Sequence, residues 1–287
     1  MPVLVSAEEL RAVLAGGNGD VVLLDCGFDL ADTEAGQRAY DAGHLPGAQY
    51  AHLDRDLSGA KTGRNGRHPL PPREAFARRV GQWGIGPATR VVVYDAQGGP
   101  YAARAWWMLR WLGHSAVAVL DGGVAAWRAA GGPLETRVPA PQPRPPYPAQ
   151  APAMPAVDVA ALLASLGNGP GHGSWRVLDA RSPERYRGEA EPIDPVAGRI
   201  PGAINRFHRE NLQAGGRFKA PAVLRAEFAR LGIDAGAAAG VAHQCGSGVT
   251  ACHNLLAMAH AGLDGSALYP GSWSEWCADV ALPRERG

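Results

Sequence analysis

Short apolar runs alternate along this chain with longer stretches in which apolar residues recur at helical spacing. In the first half, residues 91–94 and 116–120 are typical of buried strands, and residues 101–112 between them are typical of a helix. The second half repeats the order strand, helix, strand over residues 240–243, 250–260 and 266–269. The alternation predicts an α/β fold with parallel sheets flanked by helices, in which ligands bind at the carboxyl ends of strands.

The two halves of the chain also match each other in sequence. Four segments recur in one order at an offset of about 150 residues, far beyond the 20–50 residues of a solenoid repeat. The matched pairs are residues 22–26 with 176–180, 43–48 with 198–203, 83–86 with 231–234, and 120–127 with 269–276. We therefore predict two tandem domains, residues 1–135 and 157–287.

Between the two halves, residues 136–156 are rich in proline. Proline at this density disfavours helix and sheet interiors and favours an extended, semi-rigid connector. A ligand for a proline-binding module is the alternative, but a linker between duplicated domains is the simpler interpretation.

Composition excludes several classes of partner. The 28 basic and 27 acidic side chains leave a formal net charge of +1, so no global field attracts nucleic acid or an anionic membrane. The apolar runs are too short to span a bilayer, and the N-terminus lacks the pattern of a signal peptide. We expect a cytoplasmic monomer with no nucleic-acid or membrane partner.

The four cysteines show neither a CxxC pair nor the spacing of a metal site, so we expect no metal and no cofactor. Cys26 and Cys277 are predicted to be structural, and Cys252 is predicted to lie in the core of a helix. Cys245 differs, because an apolar strand precedes it and a glycine-rich turn and a helix follow it. Backbone N–H groups and a helix N-terminus stabilise a thiolate there, and the same groups would hold the outer sulfur of a persulfide.

A structural role is the alternative for Cys245, because most free cysteines act as small hydrophobes. Gly246 and Gly248 favour the functional interpretation, since they allow the tight backbone path of an anion-binding turn. In the first half the corresponding position holds Asp95 or Ala96, and a carboxylate cannot accept a sulfane sulfur. We therefore predict chemistry in the second half alone.

The duplication and the single cysteine turn resemble the two-domain rhodanese family of sulfurtransferases. The segments that carry the resemblance are residues 43–48, 91–95, 106–110, 120–123, 185–188, 245–250 and 271–276. The resemblance implies two rhodanese-like domains, a persulfide on Cys245, a small anionic sulfur donor, and a thiol or cyanide acceptor. A thioredoxin-like reductant is one candidate acceptor.

The loop from Cys245 to Thr250 holds six residues, the length found in sulfurtransferases, whereas the related phosphatases and arsenate reductases have one more. Members that use mercaptopyruvate place Gly and Ser after the cysteine, as Gly246 and Ser247 do here, and members that use thiosulfate place Arg and Lys there. The resemblance also implies that substrate contacts the loop at Gly246, Gly248, Val249 and Thr250.

Mercaptopyruvate enzymes relay through an Asp–His–Ser arrangement, which the resemblance assigns to Asp54, His68 and Ser247, with Asp56 as the competitor of Asp54. His68 lies in a predicted loop, and the ordinary pKa of histidine suits proton transfer near neutrality.

Arg185 matches the substrate-binding arginine of the family, and its forked donors suit a carboxylate or a sulfonate. Arg187 and Arg199 are expected to be surface residues. The family's second substrate arginine is replaced by Ile193, which keeps thiosulfate open as a donor.

These observations favour transfer of sulfur from 3-mercaptopyruvate through Cys245 to a thiol or cyanide. The same cysteine also serves the alternative of a thiosulfate:cyanide sulfurtransferase. A persulfide carrier or interaction module that depends on a partner protein is the alternative of another class.

Overall fold

The structure, a computed structural model, describes residues 2–17, 20–140, 142–166 and 175–287. The chain forms two compact units, each of which is made of three separate segments of the sequence. The first comprises Met1–Gly59, Pro71–Ala153 and Ala214–Phe218, and the second comprises Ala60–Leu70, Met154–Gln213 and Lys219–Gly287. A short segment from each half of the sequence therefore folds with the other unit.

The first unit is built on a five-stranded parallel sheet in the order β1-β5-β4-β2-β3. Its strands are β1 Leu4–Val5, β2 Val21–Asp25, β3 Gln49–Tyr50, β4 Arg90–Tyr94 and β5 Val117–Leu120. Its helices are α1 Ala7–Ala15, α2 Ala35–Ala42, α3 Leu53–Asp56, α4 Arg73–Gln82, α5 Pro100–Trp111 and α6 Gly123–Ala129. Helix α1 starts at a capping box, in which Ser6 and Glu9 each bond the other's backbone N–H. Trp106 and Trp107 of α5 are fully buried.

The second unit has a four-stranded parallel sheet in the order β7-β6-β8-β9. Its strands are β6 Arg176–Asp179, β7 Ile204–Asn205, β8 Val241–Gln244 and β9 Ala267–Leu268. Its helices are α7 Val159–Ser165, α8 Pro183–Arg187, α9 Pro221–Arg230, α10 Thr250–His260 and α11 Ser272–Trp276. Trp273 and Trp276 lie in its core. The predicted fold class, two α/β domains with parallel sheets and flanking helices, is confirmed.

The register within each sheet shows which residues of the two units occupy equivalent positions at the predicted site. Strand β4 ends at Tyr94 and β8 ends at Gln244, each paired with the last residue of its neighbouring strand β2 or β6. Asp95 and Cys245 each follow directly and open a five-residue turn before a helix. The structure thus places Asp95, rather than Ala96, at the position equivalent to the cysteine.

The proline-rich segment contains neither helix nor strand over residues 136–140 and 142–155, and Pro141 lies outside the described residues. Part of the segment folds with the first unit. Its backbone N–H groups donate to carbonyls of α4, from Arg144 to Gly81 over 2.8 Å and from Tyr147 to Ala77 over 2.9 Å. Among the described residues, no helix has both the length and the apolar character needed to cross a membrane.

The turn after β4 is filled by its own carboxylate. Asp95 is fully buried and accepts backbone N–H groups from Gln97, Gly99, Tyr101 and Ala102, at 2.9, 2.8, 3.0 and 3.0 Å. Burial raises the pKa of Asp95, and these four hydrogen bonds oppose the rise. The anion site of this turn is therefore already occupied by a side chain.

We expect Asp95→Ala to destabilise the protein by about 3 kcal/mol, because it leaves four buried N–H donors without their acceptor. Urea unfolding would measure the change. Asp29→Ala, which removes an exposed carboxylate, is the matched control and is expected to cost less than about 1 kcal/mol. Equal midpoints for the two variants would contradict this account of the turn.

Candidate active site

Cys245 lies directly after β8 and is buried, with 2 % of its surface exposed. The start of α11 fixes its backbone. The Cys245 N–H donates to Ser272 Oγ (3.1 Å), and the Cys245 carbonyl accepts the N–H of Trp273 (3.0 Å). The Gly246 carbonyl accepts the N–H of Ser274 (2.9 Å). The cysteine turn is therefore held by backbone bonds that do not depend on a ligand.

Gly248 is required by the shape of this turn. Its φ of 76° is left-handed, and a Cβ there would lie 2.4 Å from the carbonyl oxygen of Pro270. Val249 returns to negative φ and caps α10, whose first residue is Thr250. The path brings Cys245 to the N-terminal side of an 11-residue helix, where the helix dipole favours negative charge.

His68 and Ser247 meet in a direct hydrogen bond. His68 Nδ1 lies 2.7 Å from Ser247 Oγ, and both side chains are buried. Although His68 belongs to the first half of the sequence, the segment Ala60–Leu70 is part of the second compact unit. The structure therefore brings together two of the three predicted relay residues, and their catalytic role stays a prediction.

The segment that carries His68 is anchored on the first turn of α11 and on Gly271, which precedes it. Gly66 has a φ of 82°, and a Cβ there would lie 2.7 Å from the Gly271 carbonyl oxygen. The next residue, Arg67, donates its backbone N–H to Ser274 Oγ over 3.0 Å. The close approach at Gly66 and this hydrogen bond fix the direction of the two side chains that follow.

Asp54 and Asp56 both lie on α3 in the first unit. Asp56 Oδ2 accepts the N–H of His52 (2.8 Å), and its Oδ1 lies 3.0 Å from Nε of Arg79. Through these contacts, Asp56 stabilises the N-terminus of α3 at His52 and pairs with Arg79 of α4. The Asp54 N–H donates to His52 Nδ1 over 3.1 Å, and a relay role for the Asp54 carboxylate stays a prediction.

Arg185, on α8, is held by two carboxylates. Its Nε lies 3.1 and 3.2 Å from the two oxygens of Glu191, and its Nη2 lies 2.7 Å from Glu191 Oε1. Nη2 also lies 3.1 Å from Asp194 Oδ2. Bonds to two carboxylates restrict the guanidinium to one orientation, as a substrate-binding arginine requires.

A second arginine, Arg67, binds the same carboxylate as Arg185. The sequence analysis did not identify Arg67 as a site residue. Its Nη1 pairs with Asp194 Oδ1. A Cβ built on Gly246 would lie 2.8 Å from Arg67 Nη2 and 3.4 Å from Arg185 Nη1 and Nη2. Two guanidiniums therefore converge beside the residue that follows Cys245. The only sequence signal is the position of Arg67 directly before His68.

Burial lowers the pKa of Arg67, and the nearby Arg185 acts in the same direction. Negative charge at Cys245 acts in the opposite direction and raises the pKa of Arg67. Ile193, where the family pattern has an arginine, is 43 % exposed and supplies no charge.

Of the two arginines expected on the surface, Arg187 is confirmed, with an exposed side chain paired to Glu189. The expectation for Arg199 is wrong. Arg199 is 8 % exposed, lies 2.8 Å from Glu285, and stacks 4.7 Å above the ring of Tyr186. The Glu285 carboxylate and the face of the Tyr186 ring stabilise the buried guanidinium and offset its loss of hydration.

All four cysteines are buried, and none of them forms a disulfide. Cys252, in α10, is fully buried and its Sγ lies 3.3 Å from the carbonyl oxygen of Gly248 in the preceding turn, which confirms its place in the core. Burial raises the pKa of the Cys26 and Cys277 thiols, so both are poor nucleophiles. Within the described ranges, no group of three or more His, Cys, Asp or Glu side chains has the arrangement of a metal site.

The sequence matches the rhodanese-like domain over residues 6–130 and again over residues 159–279. The chain belongs to the rhodanese family. It is 45 % identical to a Pseudomonas aeruginosa protein named "Probable 3-mercaptopyruvate sulfurtransferase", over 99 % of this chain and 98 % of that one. It is 33 % identical to the thiosulfate sulfurtransferase of Gallus gallus, over 95 % and 92 % of the two chains.

Among solved structures, the 3-mercaptopyruvate sulfurtransferase of Leishmania major superposes with a TM-score of 0.82 at 29 % identity, covering 96 % of this chain and 74 % of that one. The protein is a sulfurtransferase. Such an enzyme needs a sulfur donor and a thiol or cyanide acceptor.

Proposed function

We propose that this enzyme moves sulfur from 3-mercaptopyruvate through a persulfide on Cys245 to a thiol or cyanide. The observation that carries the proposal is the set of groups beside Cys245 in one compact unit. This set contains a buried His68–Ser247 hydrogen bond and the two guanidiniums of Arg67 and Arg185. The relatives named for mercaptopyruvate and thiosulfate support the same reaction class.

In the first half-reaction, the Cys245 thiolate attacks the sulfur of mercaptopyruvate and forms an S–S bond. The C–S bond breaks, and its electron pair stays on carbon as the enolate of pyruvate. Protonation of that carbon releases pyruvate and leaves Cys245 with one additional sulfur. The N-terminus of α10 and the turn amides favour the negative charge of this persulfide.

In the second half-reaction, the acceptor attacks the outer sulfur, and the electron pair of the S–S bond returns to Cys245 as a thiolate. A thiol acceptor leaves as a persulfide, and cyanide leaves as thiocyanate. No external oxidant or reductant enters either step. The same cysteine therefore regenerates after each turnover.

The His68–Ser247 pair supports mercaptopyruvate over thiosulfate as the donor. The enolate left by mercaptopyruvate needs a proton, which the serine hydroxyl can deliver while the imidazole resupplies it. Thiosulfate has no such need, because sulfite departs as a stable anion. In this proposal Asp54 is the third member of the relay.

Steady-state kinetics with both donors tests the proposal. We expect kcat/KM for mercaptopyruvate to exceed that for thiosulfate by at least about tenfold, since one proton transfer contributes about 10²-fold or more. Cyanide and a small thiol are the acceptors to compare. A clear preference for thiosulfate would favour the thiosulfate:cyanide alternative, and a single round of persulfide formation without turnover would favour the carrier.

Three further expectations remain proposals. Two of them are a cytoplasmic location and a thioredoxin-like acceptor. A monomer is the third expectation. Light scattering would test the oligomeric state, and a coupled assay with a thioredoxin system would test the acceptor.

A further inference from the structure

We propose that the first unit holds a binding site for a small alkylguanidinium compound, in a cavity beside Asp25. The cavity has a volume of about 590 Å³, within the range of about 300–1,000 Å³ that small-molecule sites occupy. It lies at the carboxyl end of β2, and all of its lining residues belong to the unit without the catalytic turn. Its ligand is therefore distinct from the sulfur donor that reacts at Cys245.

The second unit shows what this part of the fold can bind. Arg181 is almost fully buried there, and its Nε donates to both oxygens of Asp179 over 3.1 Å. Its Nη2 donates to Asp179 Oδ2 over 2.7 Å and to the Gly198 carbonyl over 2.8 Å. Its Nη1 lies 3.4 Å from Glu191, and the guanidinium lies 4.9 Å from the centre of the Trp273 ring. These groups form a complete site for a buried guanidinium.

The first unit has the same carboxylate but not the arginine. Asp25 and Asp179 each end a central strand of their sheet, at equivalent positions of the register. The Gly27 N–H donates to Asp25 Oδ1 over 2.9 Å. The Arg181 N–H donates to Asp179 Oδ1 over the same distance. Glycine therefore stands in the first unit where the second unit has its buried arginine.

Two other groups that surround Arg181 have counterparts around the cavity. The sequence repeat matches Gly43 with Gly198 and Val124 with Trp273. Gly43 and Val124 both line the cavity. Because glycine replaces arginine and valine replaces tryptophan, two large side chains are missing from this space. The cavity is thus the place of a guanidinium that the chain itself no longer supplies.

Asp25 is a buried carboxylate without a cationic partner. It is 7 % exposed, and its hydrogen bonds come from two neutral groups, the Gly27 N–H and the Tyr94 hydroxyl. Within the described ranges, no arginine, lysine or histidine forms an ion pair with it. Burial raises the pKa of Asp25 to about 6, because the ionised carboxylate is removed from water. A bound cation stabilises the ionised form by supplying the missing charge.

The lining favours an alkylguanidinium over other cations. A planar guanidinium can donate two parallel N–H groups to one carboxylate, which an ammonium group cannot do. Phe28, Ala35 and Ala39 also line the cavity and suit the alkyl part of the ligand. Asp29 and Arg128 complete the charged lining. Both are exposed and have opposite charges, so the buried Asp25 decides the charge of the ligand.

The probe for the test is N-propylguanidinium, which reproduces the side chain of Arg181, and isothermal titration calorimetry measures its binding. N-Propylurea, a neutral isostere, should bind at least about tenfold more weakly, because it forms no charge-assisted hydrogen bond. Asp25→Asn keeps the shape of the side chain and should weaken binding of N-propylguanidinium by at least about tenfold. Asp32→Asn is the matched control, since it removes an exposed carboxylate that pairs with Arg38, and should change affinity by less than about twofold.

A pair of variants at Gly27 tests the site from the other side. Gly27→Arg supplies the guanidinium from the chain, as Arg181 does in the second unit, and should abolish binding of the probe. A Cβ at Gly27 would lie 3.1 Å from Asp25 Oδ1, so Gly27→Ala controls for this close contact. Gly27→Ala should still bind N-propylguanidinium. This pair keeps the inference testable even if Asp25→Asn fails to fold.

The inference is overturned if the unmodified chain shows no saturable binding of N-propylguanidinium, or if it binds N-propylurea equally well. Unchanged affinity in a folded Asp25→Asn variant, or in Gly27→Arg, would overturn it as well. None of these measurements uses Cys245 or a sulfur donor. The result is therefore independent of the proposed function, which fails separately if the chain forms no persulfide from mercaptopyruvate.

Discussion

Replacing Cys245 with serine is expected to abolish sulfur transfer from either donor, with a loss of at least about 1,000-fold in kcat. Serine is nearly isosteric, so the turn held by Ser272 and Trp273 should persist. Its hydroxyl is a far weaker nucleophile than a thiolate and cannot carry a sulfane sulfur. The loss would therefore report chemistry rather than folding.

Intact-protein mass spectrometry after incubation with donor checks this directly. The unmodified chain should gain one sulfur atom and lose it on addition of cyanide or a thiol, whereas Cys245→Ser should gain none. Cys252→Ala, in the core of α10, is the matched control and should still form the persulfide even if its stability falls. Retention of full transferase activity in Cys245→Ser would exclude this cysteine as the sulfur carrier.

His68→Ala is expected to lower kcat with mercaptopyruvate by about 100-fold and to change the thiosulfate reaction by less than about threefold. The physical reason is the proton that the pyruvate enolate requires and sulfite does not. His68 contacts the Ser247 hydroxyl directly, so the imidazole can resupply the proton that the serine gives up. Parallel assays with the two donors measure the selectivity.

A double-variant comparison separates proton transfer from packing. Ser247→Ala should injure the mercaptopyruvate reaction as His68→Ala does, and the two changes together should cost little more than the larger one alone, since the residues act as one unit. Losses that multiply, or an equal loss with both donors, would show that the pair does not relay a proton to the enolate. Persulfide formation from thiosulfate should survive in all three variants.

Local sequence determined the repeated fold and the position of Cys245, the proposed nucleophile. Strand and helix periodicity depend on residues a few positions apart, so the helix predicted over residues 250–260 has the bounds Thr250–His260 in the structure. The strand, the glycine turn and the helix that surround Cys245 are contiguous in the chain for the same reason. Duplication was equally visible, because matched segments keep their order and their offset.

Only the tertiary structure decided which distant residues surround that nucleophile. The segment Ala60–Leu70 folds with the second unit, which brings Arg67 and His68 to the turn of Cys245. The burial of Arg199 likewise depends on Glu285, far along the chain. Contacts between residues so far apart leave no periodic trace in the sequence, because they depend on how the chain folds back on itself. The close approach of Gly66 to Gly271, for example, holds the segment that carries Arg67 and His68. The convergence of Arg67 and Arg185 beside Gly246 can therefore be recognised only in three dimensions.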